Sequence, residues 1–173
     1  MRGPAGEPIE TERLSIMPMP QAAAAALPGD RSAAAVSIGA ALDDEWPMPD
    51  VVDIFPTQAA AANEQLPYGV WLILERATTS VVGDVGFMGP PTATGEVEIG
   101  YSVIPSRRRR GYATEAVGAL VAWAFAQPGI DAVLATTDRD NAISQRVLQH
   151  AGFTDVDGTG EQVHWRLQRP EAG

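Results

Sequence analysis

Ile99-Gly100-Tyr101-Ser102-Val103-Ile104-Pro105-Ser106-Arg107-Arg108-Arg109-Arg110-Gly111-Tyr112-Ala113-Thr114 joins an apolar, strand-like segment to a helix through four cations and a glycine. Backbone N–H groups at such a turn, reinforced by the helix dipole, form an anion site. Gly111 has no Cβ and lets the backbone approach a ligand closely. The rest of the chain is acidic, with a formal net charge of −10. A solvated basic face and a nucleic-acid patch are the competing readings of the arginines. Their place at the strand–glycine–helix junction favours phosphate binding.

Downstream, Ala113, Val117, Leu120, Val121, Ala124 and Phe125 recur at helical spacing, so a helix is expected over residues 111–126 and stops at Pro128-Gly129. Residues 131–137 read as a buried strand. Asp140 is the expected N-cap of a helix over 141–151, with Gly152 at its C-terminal end. Two strands around Asp157-Gly158-Thr159-Gly160 finish the chain. Upstream, Thr11–Met17 reads as a first strand, and 21–27 and 31–42 as alanine-rich helices. A helix over 51–64 is expected to be capped by Asp50 and interrupted at Pro56. Tyr68–Glu75 and Val81–Met88 form a hairpin, and Glu96–Ile104 a further strand with one wet face. Residues 1–8 read as a flexible leader, 9–168 as one domain and 169–173 as a tail.

Composition narrows the classes. The 173 residues suffice for one domain with a substantial core. No cysteine is present, which excludes disulfides, thiolate nucleophiles and cysteine-bound metals, and two histidines are too few for a histidine-rich metal site. No apolar run approaches the roughly 20 residues that span a bilayer. A cytoplasmic protein without metal, membrane or nucleic-acid partner is expected. The negative charge either steers a cationic substrate inward or only maintains solubility.

Glu96-Val97-Glu98-Ile99-Gly100-Tyr101-Ser102-Val103, followed by Arg108-x-x-Gly111-x-Ala113, resembles the signature of the GCN5-related N-acetyltransferases (GNAT). The run Asn141-x-x-Ser144-x-x-Val147-Leu148-x-x-x-Gly152-Phe153 resembles that family's fourth-helix motif, and Ile9-Glu10-Thr11-Glu12-Arg13-Leu14 the opening of its ribosomal-protein N-acetyltransferase-like branch. The resemblance covers about residues 9 to 168. It implies an α/β (α+β) fold whose mixed central sheet is splayed in the middle and flanked by helices. It also implies acetyl-CoA as co-substrate and transfer to a primary amine, either a protein N-terminal α-amine or a small molecule.

The resemblance places the pyrophosphate on the backbone of Arg109, Arg110, Gly111, Tyr112, Ala113 and Thr114, with Arg108 at the signature position and Arg107 simply exposed. The pantetheine arm would pair with Tyr101, Ser102 and Val103, and Asn141 would hold it from the other side. Glu98 is the candidate general base, since acetyl transfer needs a neutral amine; its alternative is an ordinary polar face shared with Glu96. Relatives use a fourth-helix tyrosine to protonate the thiolate, and this chain has none there. Ser144, one turn from Asn141, is the candidate donor, or else a contact to the arm. Trp46 is expected either to line the acceptor mouth or to anchor the core. An acidic cleft is inferred from Glu45, Asp50, Glu96 and Glu98. A catalytically weak acyl-CoA sensor is the rival function, and a homodimer stays open.

Overall fold

The computed structural model describes residues 6–157 and 160–172. The strands are β1 (Ile9–Glu10), β2 (Leu14–Pro18), β3 (Ala41–Leu42), β4 (Val70–Glu75), β5 (Ser80–Phe87), β6 (Glu96–Val103), β7 (Ala132–Asp138), β8 (Thr154–Asp157) and β9 (Gln162–Gln168). The helices are α1 (Gln21–Ala26), α2 (Arg31–Ile38), α3 (Pro49–Val52), α4 (Phe55–Ala60), α5 (Tyr112–Ala126) and α6 (Ala142–His150). The sheet runs β1-β2-β4-β5-β6-β7-β9-β8, with short β3 beside β5. Its neighbours are antiparallel except β6–β7 and β3–β5.

β4 is buried along its whole length, as its run Val70-Trp71-Leu72-Ile73-Leu74 demands at the centre of the sheet. Alternation along β5 sends Asp84 to one face and Val85 and Phe87 to the other. Phe87 meets Trp123 of α5, with ring centroids 5.9 Å apart, so α5 covers the second face. Trp71 and Tyr68 join the same cluster at 5.3 and 5.6 Å from Trp123. On the first face, Trp46 is fully buried beside Phe55 at 6.0 Å.

Several boundaries differ from the sequence reading. The expected 11–17 strand begins only at Leu14, and a separate short strand, β1, precedes it: Thr11–Arg13 form a turn, in which the Thr11 hydroxyl and N–H both donate to the Leu14 carbonyl. The expected 31–42 helix stops at Ile38, because Gly39 takes a left-handed conformation and residues 41–42 then pair with β5. The 51–64 helix is instead α3, α4 and a 3-10 turn over Asn63–Tyr68. Pro56 sits in the first turn of α4, where a missing N–H costs nothing. Asp50 lies inside the first turn of α3 rather than capping it, and the cap position belongs to Met48. Asn141, not Asp140, caps α6. The final turn's Gly158 and Thr159, and leader residues 1–5, lie outside the described residues.

The feature that positions the site is the junction of β6 and β7. They pair in parallel only over Glu96–Glu98 with Ala132–Leu134. Beyond it β6 stays with β5 as far as Val103, while β7 stays with β9 as far as Asp138. The two halves of the sheet diverge, and a wedge opens between them.

Candidate active site

One edge of β6 bonds to β5: the Glu98 carbonyl accepts from the Met88 N–H, and the Ile104 N–H donates to the Val82 carbonyl. Antiparallel alternation therefore turns the backbone groups of Ile99, Tyr101 and Val103 into the wedge. The Val103 carbonyl accepts the Arg108 Nε–H at 2.9 Å. Open strand edge of this kind can receive an extended, amide-bearing ligand as an added strand.

The arginine turn is held from two sides. Arg107 is not free: its Nε donates to Glu75 Oε2 at 3.0 Å, and the Tyr112 hydroxyl donates to the same oxygen at 2.8 Å. Burial pushes the Glu75 carboxyl up, but hydrogen bonds from Tyr112, Thr78 and Arg107 outweigh it and hold the group below its ordinary range. On the other side, Glu115 in the first turn of α5 accepts from the Thr11 hydroxyl at 2.6 Å, the Arg13 N–H at 2.9 Å and Arg13 Nε at 2.8 Å. These bonds outweigh a burial penalty and leave Glu115 below its usual value. Arg13 also donates to the Arg110 carbonyl at 2.6 Å and lies over the Tyr112 ring.

Within that frame Arg109 and Gly111 both adopt left-handed backbone, with φ of 63° and 82°. Such turns bring successive N–H groups to one side and make a concavity for anions. For an arginine this conformation costs of order 1 kcal/mol or more, a strain that clusters at ligand sites. No side chain caps α5, so its first N–H groups are left for a ligand.

Two clefts lie end to end along β6 and α6. One, of about 530 Å³, is lined by Arg107–Arg109, Gly111–Thr114, Ile143, Arg146 and His150. The other, of about 710 Å³, passes from Tyr101, Ser144 and Asn141 to the face under α3 and α4. Its charged lining residues are Asp50, Asp53, Asp84 and Asp138, with no arginine or histidine among the described ones. The chain contains no lysine. One cleft is basic and its neighbour acidic.

At the α6 side of the acidic cleft, the Tyr101 hydroxyl stands 2.6 Å from Ser144 Oγ and donates to the Ser144 carbonyl at 3.0 Å. A tyrosine from β6 thus reaches the place where the sequence offered none from α6. Burial pushes its phenol up, opposed by the Ser144 hydrogen bond, so it keeps its proton at neutral pH. Asn141 Oδ1 caps α6 through the Ser144 N–H at 3.1 Å, which leaves its amide N–H groups to the cleft it lines.

Glu98 is exposed at the root of the wedge, where its Oε1 accepts from Thr136 Oγ1 at 3.2 Å, and Thr136 lines the acidic cleft. Glu96 is bound to Arg166 at 2.7 Å, and Glu45 accepts from the Ser106 N–H, so neither supplies the cleft's acidity. Trp46 does not line the mouth. It is in the core, and its indole N–H donates to Asp84 Oδ2 at 2.9 Å. The Arg31 guanidinium, which donates to the Trp46 carbonyl at 2.6 Å and to the Asp43 carbonyl at 2.9 Å, holds this loop inward. His164 stands beside Thr136, with Nδ1 3.4 Å from Thr136 Oγ1.

Asp84 and Arg146 were not singled out from the sequence. The signal for Asp84 was there, an acid inside Val81-Val82-Gly83-Asp84-Val85. It is only 7% exposed. Burial drives its carboxyl up to about 7, against the Trp46 hydrogen bond and with help from the Asp50 charge. Keeping it ionised above that pH costs roughly 4 kcal/mol relative to an exposed aspartate. Gln58 completes the wall, donating to the Met19 carbonyl and accepting from the Val70 N–H. Its Oε1 occupies the space a Cβ at residue 69 would need, which explains Gly69.

Residues 19–154 match the acetyltransferase (GNAT) domain family. The chain is 30% identical to the uncharacterized N-acetyltransferase YjdG of Bacillus subtilis (strain 168) over 131 residues, 74% of this chain and 78% of that one. Among solved structures, the microcin C7 self-immunity acetyltransferase MccE, in complex with acetyl-CoA and AMP, superposes with a TM-score of 0.67 at 16% identity, covering 96% of this chain and 98% of MccE. The ribosomal-protein-S5-alanine acetyltransferase of Vibrio fischeri superposes with a TM-score of 0.64 at 14% identity, covering 94% and 96%. A wedge between two parallel strands, an uncapped helix behind a glycine turn and a domain-length sequence match agree: the chain belongs to the GNAT family of acetyl-CoA-dependent N-acetyltransferases.

Proposed function

We propose that this protein passes an acetyl group from acetyl-CoA straight to a primary amine, with both substrates bound at once. The observation that carries this is a basic cleft and an acidic one set on neighbouring residues of β6 and α6, Val103 and Ile143 lining the first and Tyr101 and Ser144 the second. Acetyl-CoA supplies an activated acetyl thioester. The N–H groups of residues 109–114 would take its pyrophosphate, and Arg109, Arg110 and Arg146 its 3′-phosphate. Tyr101–Val103 would bond its amide arm, with Asn141 opposite. Without cysteine, transfer cannot run through a cysteine-linked acyl-enzyme.

In this reading Glu98 takes the proton of the bound ammonium, through a water held with Thr136, and frees the nitrogen lone pair for attack on the thioester carbon. The Tyr101 and Ser144 hydroxyls offer a hydrogen bond and then a proton to the departing sulfur. The acidic cleft suits a cationic amine. A protein N-terminal α-amine and a small amine both satisfy it.

Thiol release from acetyl-CoA across amines and short peptides tests the proposal. Amine-dependent release is expected, and Glu98→Gln should lower kcat about tenfold or more near pH 7 and recover as pH rises. A pH-independent loss would assign Glu98 a positioning role. Tight CoA binding without release for any acceptor would make the protein a sensor.

A further inference from the structure

Asp84 is an anomaly that neither the cofactor cleft nor the proton donors use. It lies mid-strand on β5, opposite Ser102 in the register and two pairs away from Gly86 and Gly100. Among the described residues it has no cationic partner, and its one protein hydrogen bond is from Trp46 to Oδ2. Trp46 is itself completely buried and pinned by Arg31, so the carboxylate is fixed in orientation. Oδ1 accepts nothing from the protein, and Asp84 lines the acidic cleft. A carboxylate oxygen this buried is costly unless something charged or donating meets it.

The surroundings say what that is. Asp50 and Asp53, from α3 and the turn after it, and Asp138, at the end of β7, face the same space. Tyr68 and Tyr101 line it, and no arginine or histidine does. Ile54 and Met88, partly or largely exposed, give it an apolar rim. An acceptor bearing its own carboxylate would meet like charge on every side. A carboxylate-free ammonium with an apolar flank would find a partner at the floor.

We propose that Asp84 is a specificity-determining residue, whose Oδ1 receives the ammonium group of the acceptor and selects amines with an apolar substituent and no neighbouring carboxylate. This rests on the acetyltransferase reading above and narrows its acceptor. Asp84 acts on ground-state binding, while Glu98 serves the chemical step. Asp84 is protonated below about pH 7 because of its burial, so it holds the ammonium only above that pH. The other facing groups are carboxylates or phenols, and none supplies a competing positive charge.

The test uses three probes that share one aromatic flank: phenethylamine, phenylalanine amide and phenylalanine. At pH 8 the two carboxylate-free amines should exceed phenylalanine in kcat/KM by about tenfold or more. Asp84→Asn keeps an acceptor for the Trp46 indole. It should raise the KM of both amines about tenfold to a hundredfold, with kcat and the acetyl-CoA KM nearly unchanged. In the unaltered protein the acceptor KM should climb as pH falls through 7, a dependence absent from Asp84→Asn. Equal use of phenylalanine, an unchanged KM in the variant, or a loss confined to kcat would each overturn the inference. So would acetyl-CoA binding with no turnover of any of the three amines. Failure to bind acetyl-CoA at all would overturn the acetyltransferase reading itself. The probe comparison and the pH profile need no variant, so they decide the matter even if Asp84→Asn fails to fold.

Discussion

Tyr101 shows how one side chain changes the chemistry read from a motif. Its backbone belongs to the strand edge that faces the wedge, while its hydroxyl sits 2.6 Å from Ser144 Oγ on α6. In the proposed reading its backbone serves the amide arm of acetyl-CoA and its hydroxyl the sulfur. Tyr101→Phe should lower kcat about tenfold or more, with the acetyl-CoA KM changed by less than about threefold, because the hydroxyl matters only as sulfur gains charge. Ser144→Ala should do less, since the tyrosine still reaches the sulfur. Steady-state kinetics with acetyl-CoA decides this, and an unchanged kcat in both variants would mean that the thiolate leaves unaided. Ser144 was legible as a candidate from its spacing to Asn141. Tyr101's hydroxyl was not, because sequence spacing says nothing about contact between a strand and a helix 43 residues away.

The turn before α5 is a loop made rigid by elements distant in sequence. Glu75 ends β4 and fastens Arg107 and Tyr112; Glu115 starts α5 and fastens Thr11 and Arg13. The resemblance of the opening Thr11-Glu12-Arg13 to a family branch thus has a physical content, a clamp on the arginine turn. Glu75 titrates below its ordinary value of 4.5 when folded. Its stabilisation is complete above the unfolded value and is lost as pH falls through the lower folded one. Glu75→Gln should lower Tm at pH 7 and flatten the fall of Tm between pH 5 and 3. Thermal melts across that range check it, and an acid slope equal to that of the unaltered chain would refute the pairing. Four arginines in a row looked like one basic feature. Folding separates them: Arg107 is bound to Glu75, Arg108 returns to Val103, and Arg109 lines the basic cleft.

Across the molecule, acetyl-CoA should act as a staple between two half-sheets joined by three paired residues of β6 and β7. Ligand at a hundred times Kd stabilises by about 2.7 kcal/mol, or roughly 5–10 °C in Tm for a chain of this size. Gly111→Val puts a β-branched residue at φ 82°. It should lower the resting Tm and abolish the CoA-induced rise, as thermal shift with and without CoA would show; a rise as large as in the unaltered protein would exclude the turn as the pyrophosphate site. Periodicity and glycines were enough to read the longer strands and the long α5 from the chain alone, because hydrogen-bonding pattern and helix polarity are local properties. The acidity of the cleft under α3 and α4, the burial of Trp46, the bracing of Arg107 and the burial of Asp84 arise only when β5, β6 and the N-terminal helices are packed together. Burial and charge pairing depend on neighbours far apart in sequence, and those neighbours exist only in the folded protein.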